Sequence, residues 1–314
     1  MFREKRVFVA GHRGMVGSAV VRKLRQAGHT GIRTAEKSTL DLLDQSAVNA
    51  FFAEAKPEIV ILAAARVGGI EANRKSPGSF LYENLAIQTN VIHAAHTHGI
   101  DKLVFLGSSC IYPVGSPQPM KEDCLFTGAL EPTNEGYAFA KLAGVKMVEL
   151  YHQQYGMNGF SLLPCNIYGT NDCFDLQRSH VLSALVRRFV DAVDEGRPRV
   201  ELWGTGIARR EFMHVDDLAD AILFLMERLD GRGEILNVGT GTDIAIRDLA
   251  TLIAAQTGYR GELAWDSSKP DGMLLKCLDI SGLAGLGFTA RVSLDDGIAM
   301  TIAEYRARKA AGTL

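Results

Sequence analysis

The sequence has few cysteines, no long apolar run and no surplus of either charge. The five cysteines are Cys110, Cys124, Cys165, Cys173 and Cys277. Their number is odd and none stands in a CxxC pair, which argues against a disulfide framework or a zinc site. No stretch approaches the roughly 20 apolar residues that span a bilayer, so no membrane partner is expected. Lys plus Arg (34) nearly cancels Asp plus Glu (36), for a net charge of -2. That balance leaves no broad basic surface for nucleic acid. The chain opens on Met-Phe-Arg-Glu-Lys-Arg and enters a strand pattern without a secretory signal. The cytoplasm is the expected compartment, and no metal is expected.

What is present is ordinary globular material. The 314 residues are 47% apolar and 22% charged, enough to bury a nucleotide-binding core and a smaller lobe. Arg6–Ala10 reads as a strand, Val16–Ala27 as a helix, Glu58–Ala63 as a strand and Leu81–His98 as a helix. Lys102–Gly107 reads as a strand, Tyr137–Tyr155 as a long helix and Phe160–Leu163 as the next strand. Apolar strands alternating with helices describe a parallel sheet covered on both faces. The expected class is α/β, a Rossmann-type doubly wound parallel sheet with a smaller C-terminal α/β lobe. Beyond Tyr168 the pattern changes. A helix over His180–Val193 precedes strands at Val200–Trp203 and Glu211–His214. Helices at Asp216–Leu229 and Ile246–Gly258, turns around Gly282 and a last helix over Leu294–Arg308 follow. The expected division is 1–168 for a dinucleotide and 169–314 for a substrate, with the second lobe woven into the first.

The first strand runs into Gly11-His12-Arg13-Gly14-Met15-Val16-Gly17. A glycine turn between strand and helix lets backbone N–H groups approach a pyrophosphate at a helix N-terminus. A plain structural turn is the alternative. An NAD site carries an acid about 20 residues past the glycines, and Glu36 stands there. Arg13, Arg33 and Lys37 surround it, and three cations near one ribose favour a 2′-phosphate. NADP(H) is therefore expected.

Tyr137-Ala-Phe-Ala-Lys141 is a YxxxK element whose i,i+4 spacing puts both side chains on one helix face. A nearby ammonium is expected to pull the phenol down toward neutrality, ready to give a proton to a carbonyl oxygen. Gly107-Ser108-Ser109-Cys110-Ile111-Tyr112-Pro113 follows a strand, at the sheet end where ligands bind. A hydroxyl there could polarise the same carbonyl.

The glycine turn, Ser108 and YxxxK, in that order, resemble the extended short-chain dehydrogenase/reductase family. The likeness extends through Ala65–Ile70, Glu131–Asn134, Ser179-His180-Val181, Trp203-Gly204, Arg210–Asp217 and Lys269–Gly272. These match the branch that epimerises C3 and C5 and reduces C4 of GDP-4-keto-6-deoxymannose, consuming NADPH and giving GDP-L-fucose. The resemblance implies a reduction triad of Ser108, Tyr137 and Lys141, and proton transfer at C3 and C5 by Cys110 and His180. A C4 ketone acidifies both neighbouring C–H bonds, and inversion needs a base on one face and an acid on the other. Thiol and imidazole titrate usefully near neutrality. A free cysteine is more commonly a small buried apolar group, and a histidine there could simply cap a helix.

The resemblance further implies cofactor contacts at Gly11 to Gly17, Leu106, Gly107, Ser108, Ser109, Lys141, Pro164, Cys165, Asn166, Ile167 and His180. It implies GDP-sugar contacts at Arg188, Trp203, Arg210, Asp271 and Lys276, and a homodimer paired through Leu81–His98 and Tyr137–Tyr155. The chain departs from the family at Met273-Leu274-Leu275, where Thr-Pro-Arg is common, and at Thr170, where proline is usual. The chemistry residues are intact while the substrate rim differs. A related GDP-4-keto-6-deoxy sugar, such as a heptose, is the alternative substrate. A catalytically silent NADP-binding regulator is the alternative from another class, and the intact Ser108, Tyr137 and Lys141 argue against it.

Overall fold

Val7–Ala10, Ile59–Leu62 and Gly159–Pro164 are buried at every position, as strands covered on both faces must be. They belong to a computed structural model that describes every residue except Met1, Gln177 and Pro270. Pro270, part of the Lys269–Gly272 motif, thus lies outside the described residues. The first half runs β1 (Val7–Ala10), α1 (Met15–Gln26), β2 (Ile32–Arg33), α2 (Gln45–Ala55) and β3 (Ile59–Leu62). It continues through α3 (Ile70–Lys75), α4 (Pro77–Thr97), β4 (Lys102–Leu106), α5 (Glu135–Tyr155) and β5 (Gly159–Pro164). Then come β6 (Asn166–Tyr168), α6 (Val181–Asp194), β7 (Arg199–Trp203), β8 (Arg209–His214), α7 (Val215–Arg228) and β9 (Arg232–Val238). The chain ends with β10 (Asp243–Ala245), α8 (Ile246–Thr257), β11 (Glu262–Asp266), β12 (Leu275–Lys276), α9 (Ser281–Gly285) and α10 (Leu294–Ala310).

The main sheet has six strands in the order β2-β1-β3-β4-β5-β9, and every pairing is parallel. The chain steps from β1 outward to β2 and returns to β3 on the other side. Strand order therefore reverses between β1 and β3, which opens a crevice beyond their carboxyl ends. From beyond residue 168, β9 closes the far edge against β5 and α7 packs on α1. The smaller lobe is built on β10-β8-β12 with β6 against β8, and on the parallel pair β7–β11. Its core forms where Val186 and Phe189 of α6, Leu249 and Ile253 of α8, and Ile298 and Tyr305 of α10 meet.

Several elements differ from the sequence reading. The segment around Gly282 is the short helix α9 rather than turns. The reading passed over α2, although Asp44 caps it by accepting from Ser46 N at 2.8 Å and Ala47 N at 3.1 Å. It also passed over β9, whose Leu236–Val238 end is buried. Among the described residues, no helix is long and apolar enough to cross a membrane.

Candidate active site

Three glycines shape the turn after β1. Gly11 has φ +85°, and a Cβ there would stand 2.7 Å from Ala64 Cα at the end of β3. A Cβ on Gly17 would stand 2.2 Å from the Gly11 carbonyl oxygen. Gly14 N donates to that same carbonyl at 3.0 Å and begins α1 as its cap residue. The turn is thus pressed between β3 and α1, and the first turn of the helix opens on the crevice. The space beyond is a cleft of about 630 Å³, within the range of small-ligand sites (~300–1,000 Å³). Its walls come from the carboxyl ends of β1, β3, β4 and β5. A glycine cradle at a helix N-terminus, with no side chain to block a pyrophosphate, fits a dinucleotide.

The cleft gathers most of the expected residues. Gly11 through Gly17, Lys37, Leu106 through Cys110, Tyr137, Lys141, Pro164 through Ile167 and His180 all line it. Arg33 does not. Its side chain lines a separate cavity with Arg6, Phe51 and Lys56, and Nη1 donates to Ile32 O at 3.5 Å. That removes one of the three cations expected around the ribose. Arg13 is ion-paired to Glu36 instead of standing alone. The cleft also takes in Leu40, Asp41, Leu42 and Leu43 from the β2–α2 loop and Ala63 and Ala64 after β3. The sequence reading missed these; their place at strand ends beside the crevice was the available signal.

At the inner end, α5 delivers Tyr137 and Lys141. Lys141 is 3% exposed, its Nζ donates to Leu106 O at 2.7 Å and it lies 4.9 Å from the Phe105 ring centroid. Burial pulls its ammonium down to about 7. Tyr137 behaves opposite to the expectation. Burial pushes the phenol far up, the Cys110 sulfur adds to this, and a hydrogen bond with Ser108 opposes it. Burial outweighs the downward pull expected from Lys141, since it disfavours a phenolate and draws the lysine toward its neutral form as well. The phenol therefore keeps its proton at neutral pH and can give it away. Ser108 accepts from Cys110 N at 3.2 Å, tying the serine to the cysteine turn.

His180 stands at the N-terminal cap position of α6 without a side-chain capping bond, and it lines the cleft. Behind it Asp172, 4% exposed, accepts from Ser183 Oγ and from Cys173 N. Burial raises the Asp172 carboxyl, while Ser183 and His180 draw it back. All five cysteines are free.

The five expected sugar-nucleotide contacts do not line the cleft; they form a rim on the smaller lobe. Lys276 sits across from Arg210 where β12 pairs with β8. Arg210 Nη2 reaches Asp271 O at 3.4 Å. Burial lowers its guanidinium, with Cys110 and Asp271 acting against that, so Arg210 stands electrostatically between cleft and rim. The Asp271 carboxylate is committed to Thr205, accepting from its N at 2.8 Å and Oγ1 at 2.7 Å. That bond locks the rim loop beside Trp203, whose ring is 59% exposed. Arg188 on α6 donates to Glu201 O at 2.7 Å.

A parallel sheet with a glycine cradle at its switch point, and a serine, tyrosine and lysine converging beside it, defines a nicotinamide-dependent enzyme of the short-chain dehydrogenase type. Residues 7–239 match the NAD dependent epimerase/dehydratase family, and the chain belongs to it. The chain is 52% identical over 303 residues to a putative GDP-L-fucose synthase 2 of Arabidopsis thaliana, covering 96% of this chain and 92% of the relative. It is 49% identical over 306 residues to the GDP-L-fucose synthase of Escherichia coli K12, covering 95% of each. Among solved structures it resembles MlghC, a GDP-mannoheptose C4 reductase from Campylobacter jejuni with NADP bound. That likeness has a TM-score of 0.88 and 36% identity, and covers 98% of this chain and 99% of the other.

Proposed function

We propose that this chain is an NADPH-dependent 3,5-epimerase and 4-reductase that converts GDP-4-keto-6-deoxymannose to GDP-L-fucose, as a cytoplasmic homodimer. The observation that carries the reading is that Ser108, Cys110, Tyr137, Lys141 and His180 line one cleft beside the glycine cradle. In this reading residues 1–168 hold chiefly the cofactor and 169–314 chiefly the sugar nucleotide, while 215–238 return to the first body.

The C4 ketone makes the hydrogens on C3 and C5 acidic by offering an enolate. Cys110 and His180 serve as the two proton carriers, one removing a proton from each centre and the other returning one on the opposite face. After both inversions Tyr137 gives its phenolic proton to the C4 oxygen, with Ser108 donating to the same oxygen. A nicotinamide dinucleotide held by the Gly11–Gly17 cradle would supply the hydride for C4. Lys141 holds an Nζ–H donor beneath the site, fixed through Leu106 O, with its charge drawn toward neutrality by burial. Arg188, Arg210 and Lys276 supply fixed charge for the diphosphate, and Trp203 offers a face for the base.

A second reading keeps the reaction and changes the sugar. It is favoured by the apolar Met273-Leu274-Leu275 segment, where Leu274 is 63% exposed on the rim. The test is NMR of the product formed from GDP-4-keto-6-deoxymannose and NADPH, with deuterium uptake from solvent followed at C3 and C5. GDP-L-fucose with deuterium at both carbons supports the first reading. Reduction without uptake favours a plain C4 reductase. Cys110→Ser and His180→Gln should each slow exchange by ~100- to 10,000-fold, the range for positioned acids and bases. Exchange at the unmodified rate would make Cys110 a packing residue.

A further inference from the structure

A buried carboxylate stands behind His180 without a lysine or arginine to balance it. Asp172 lies in the turn after β6 and is 4% exposed. Its carboxylate accepts from Ser183 Oγ and, at 2.7 Å, from Cys173 N. The cations packed nearby are engaged elsewhere. Arg308 Nη1 reaches the Asp172 main-chain carbonyl at 2.8 Å and pairs with Glu304. Arg187 donates to Phe174 O at 2.9 Å and pairs with Asp191. Glu304, the other acid against this turn, accepts from Asn171 N at 2.7 Å. A buried carboxylate is costly unless charge or hydrogen bonds offset it. His180 is the positive partner that acts on Asp172, drawing its carboxyl down together with Ser183, against burial and Glu304. Ser183 lies three residues after His180, a spacing that keeps two positions on one side of a helix. The Ser183 bond therefore brings the carboxylate to the end of α6 that presents His180. Asn171 ties the same turn to the glycine cradle, its Nδ2 donating to Arg13 O at 2.8 Å and Ser18 Oγ at 3.3 Å.

We propose that Asp172 is a positioning residue for the epimerisation, fixing the first turn of α6 through Ser183 and stabilising the imidazolium form of His180. The inference rests on the epimerase reading above and adds a residue to its His180 half. When a proton passes from a carbon beside the ketone to the imidazole, the C–H electron pair stays in the enolate and the ring becomes cationic. When the ring returns a proton to carbon, it becomes neutral again. Asp172 keeps one charge state throughout and exchanges no proton. A fixed negative charge favours the cationic ring over the neutral one, and a buried charge is screened less than one in water. His180 itself is exposed to solvent, which limits the effect to a modest factor.

The test compares the full-length chain with Asp172→Asn, which keeps the side-chain shape and an acceptor for Ser183 but removes the charge. In the ligand-free protein the His180 ring signals, assigned in NMR spectra by their loss in His180→Gln, should titrate at lower pH in the variant. With GDP-4-keto-6-deoxymannose and NADPH, deuterium uptake at C3 and C5 should fall on the order of tenfold, the factor that one pH unit of proton affinity represents. The loss should fall in kcat rather than KM, with NADPH affinity unchanged. An unmoved His180 titration overturns the proposal even where uptake falls, since Asp172 would then only support α6. Uptake at the unmodified rate overturns it as well. Should Asp172→Asn fail to fold, the reciprocal measurement decides. The Asp172 carboxyl carbon should titrate at higher pH in His180→Gln than in the unmodified chain, because coupling between two sites is mutual; equal titration overturns the proposal. Absence of uptake by the unmodified chain overturns the epimerase reading and this inference with it. Normal uptake by the unmodified chain with no coupling between Asp172 and His180 overturns this inference alone.

Discussion

Lys141→Met should stabilise the ligand-free protein near pH 7 and destabilise it near pH 10.5. Burial holds this ammonium at about 7 rather than its ordinary 10.5. The unfolded chain therefore binds more protons than the folded one between those values, and wild-type stability rises with pH across that window. Below about pH 7 the folded protein carries the whole penalty of a buried charge. At ~1.4 kcal/mol per pH unit the full difference is roughly 5 kcal/mol, and about 3 kcal/mol of it is released between pH 7 and pH 9.5. Methionine removes the penalty and also the donor to Leu106 O. An unsatisfied buried carbonyl costs about 1–3 kcal/mol at every pH. The variant should thus gain about 1–3 kcal/mol at pH 7 and lose about 1–3 kcal/mol at pH 10.5. Urea denaturation of both proteins at pH 7, 8, 9 and 9.5 measures the difference directly. A stability gap that stays constant over that range would refute the reasoning, because it would mean that Lys141 titrates alike in both states. The same variant should be inactive, as the site keeps a costly ammonium that the fold alone would be better without.

Three further outcomes follow from the geometry. Tyr137→Phe should cut reduction at least ~100-fold while NADPH still binds; near-normal turnover would displace Tyr137 as the proton donor. Gly11→Ala forces a Cβ to within 2.7 Å of Ala64 at φ +85°, so it should cost roughly 2 kcal/mol or more in denaturation experiments and weaken dinucleotide binding. Normal stability and affinity together would show that the turn can relax. Tyr82 and Phe139, 66% and 56% exposed on α4 and α5, should be covered by a second copy; sedimentation at micromolar concentration should give a dimer, and a monomer would count against the proposed pairing.

The sequence pattern was most informative where burial is uniform. Strands such as Phe8–Ala10 and Val60–Leu62 are apolar throughout, so their place in a doubly wound sheet could be read without a structure. The glycine turn was legible because Gly11 and Gly17 each answer a steric demand. Arg33 was misplaced because nearness in sequence to Glu36 says nothing of which side of β2 it leaves from. Tyr137 was misjudged for a different reason: i,i+4 spacing establishes that Lys141 is near, but spacing does not reveal that both groups are dry. The rim residues came from the resemblance and not from local pattern: Arg210 and Lys276, for instance, meet only where β12 pairs with β8, segments more than sixty residues apart.

The position of β9 bears on how the chain can be made. By the time residue 168 has been synthesised, β1 through β5 exist but β5 has no neighbour on its outer side. Its partner ends at Val238, about 70 residues later, which at ribosomal speeds of ~5–20 residues per second is a wait of roughly 4–14 s. Through that interval a mostly apolar strand edge, broken only by Ser161, stands open, and such edges recruit other chains. The six-stranded sheet cannot be completed from residues 1–168 alone, so the nascent chain is expected to be most prone to aggregation before residue 238 emerges. Pulsed synthesis stalled at residues 168 and 245 would expose the difference as a loss of solubility confined to the shorter product.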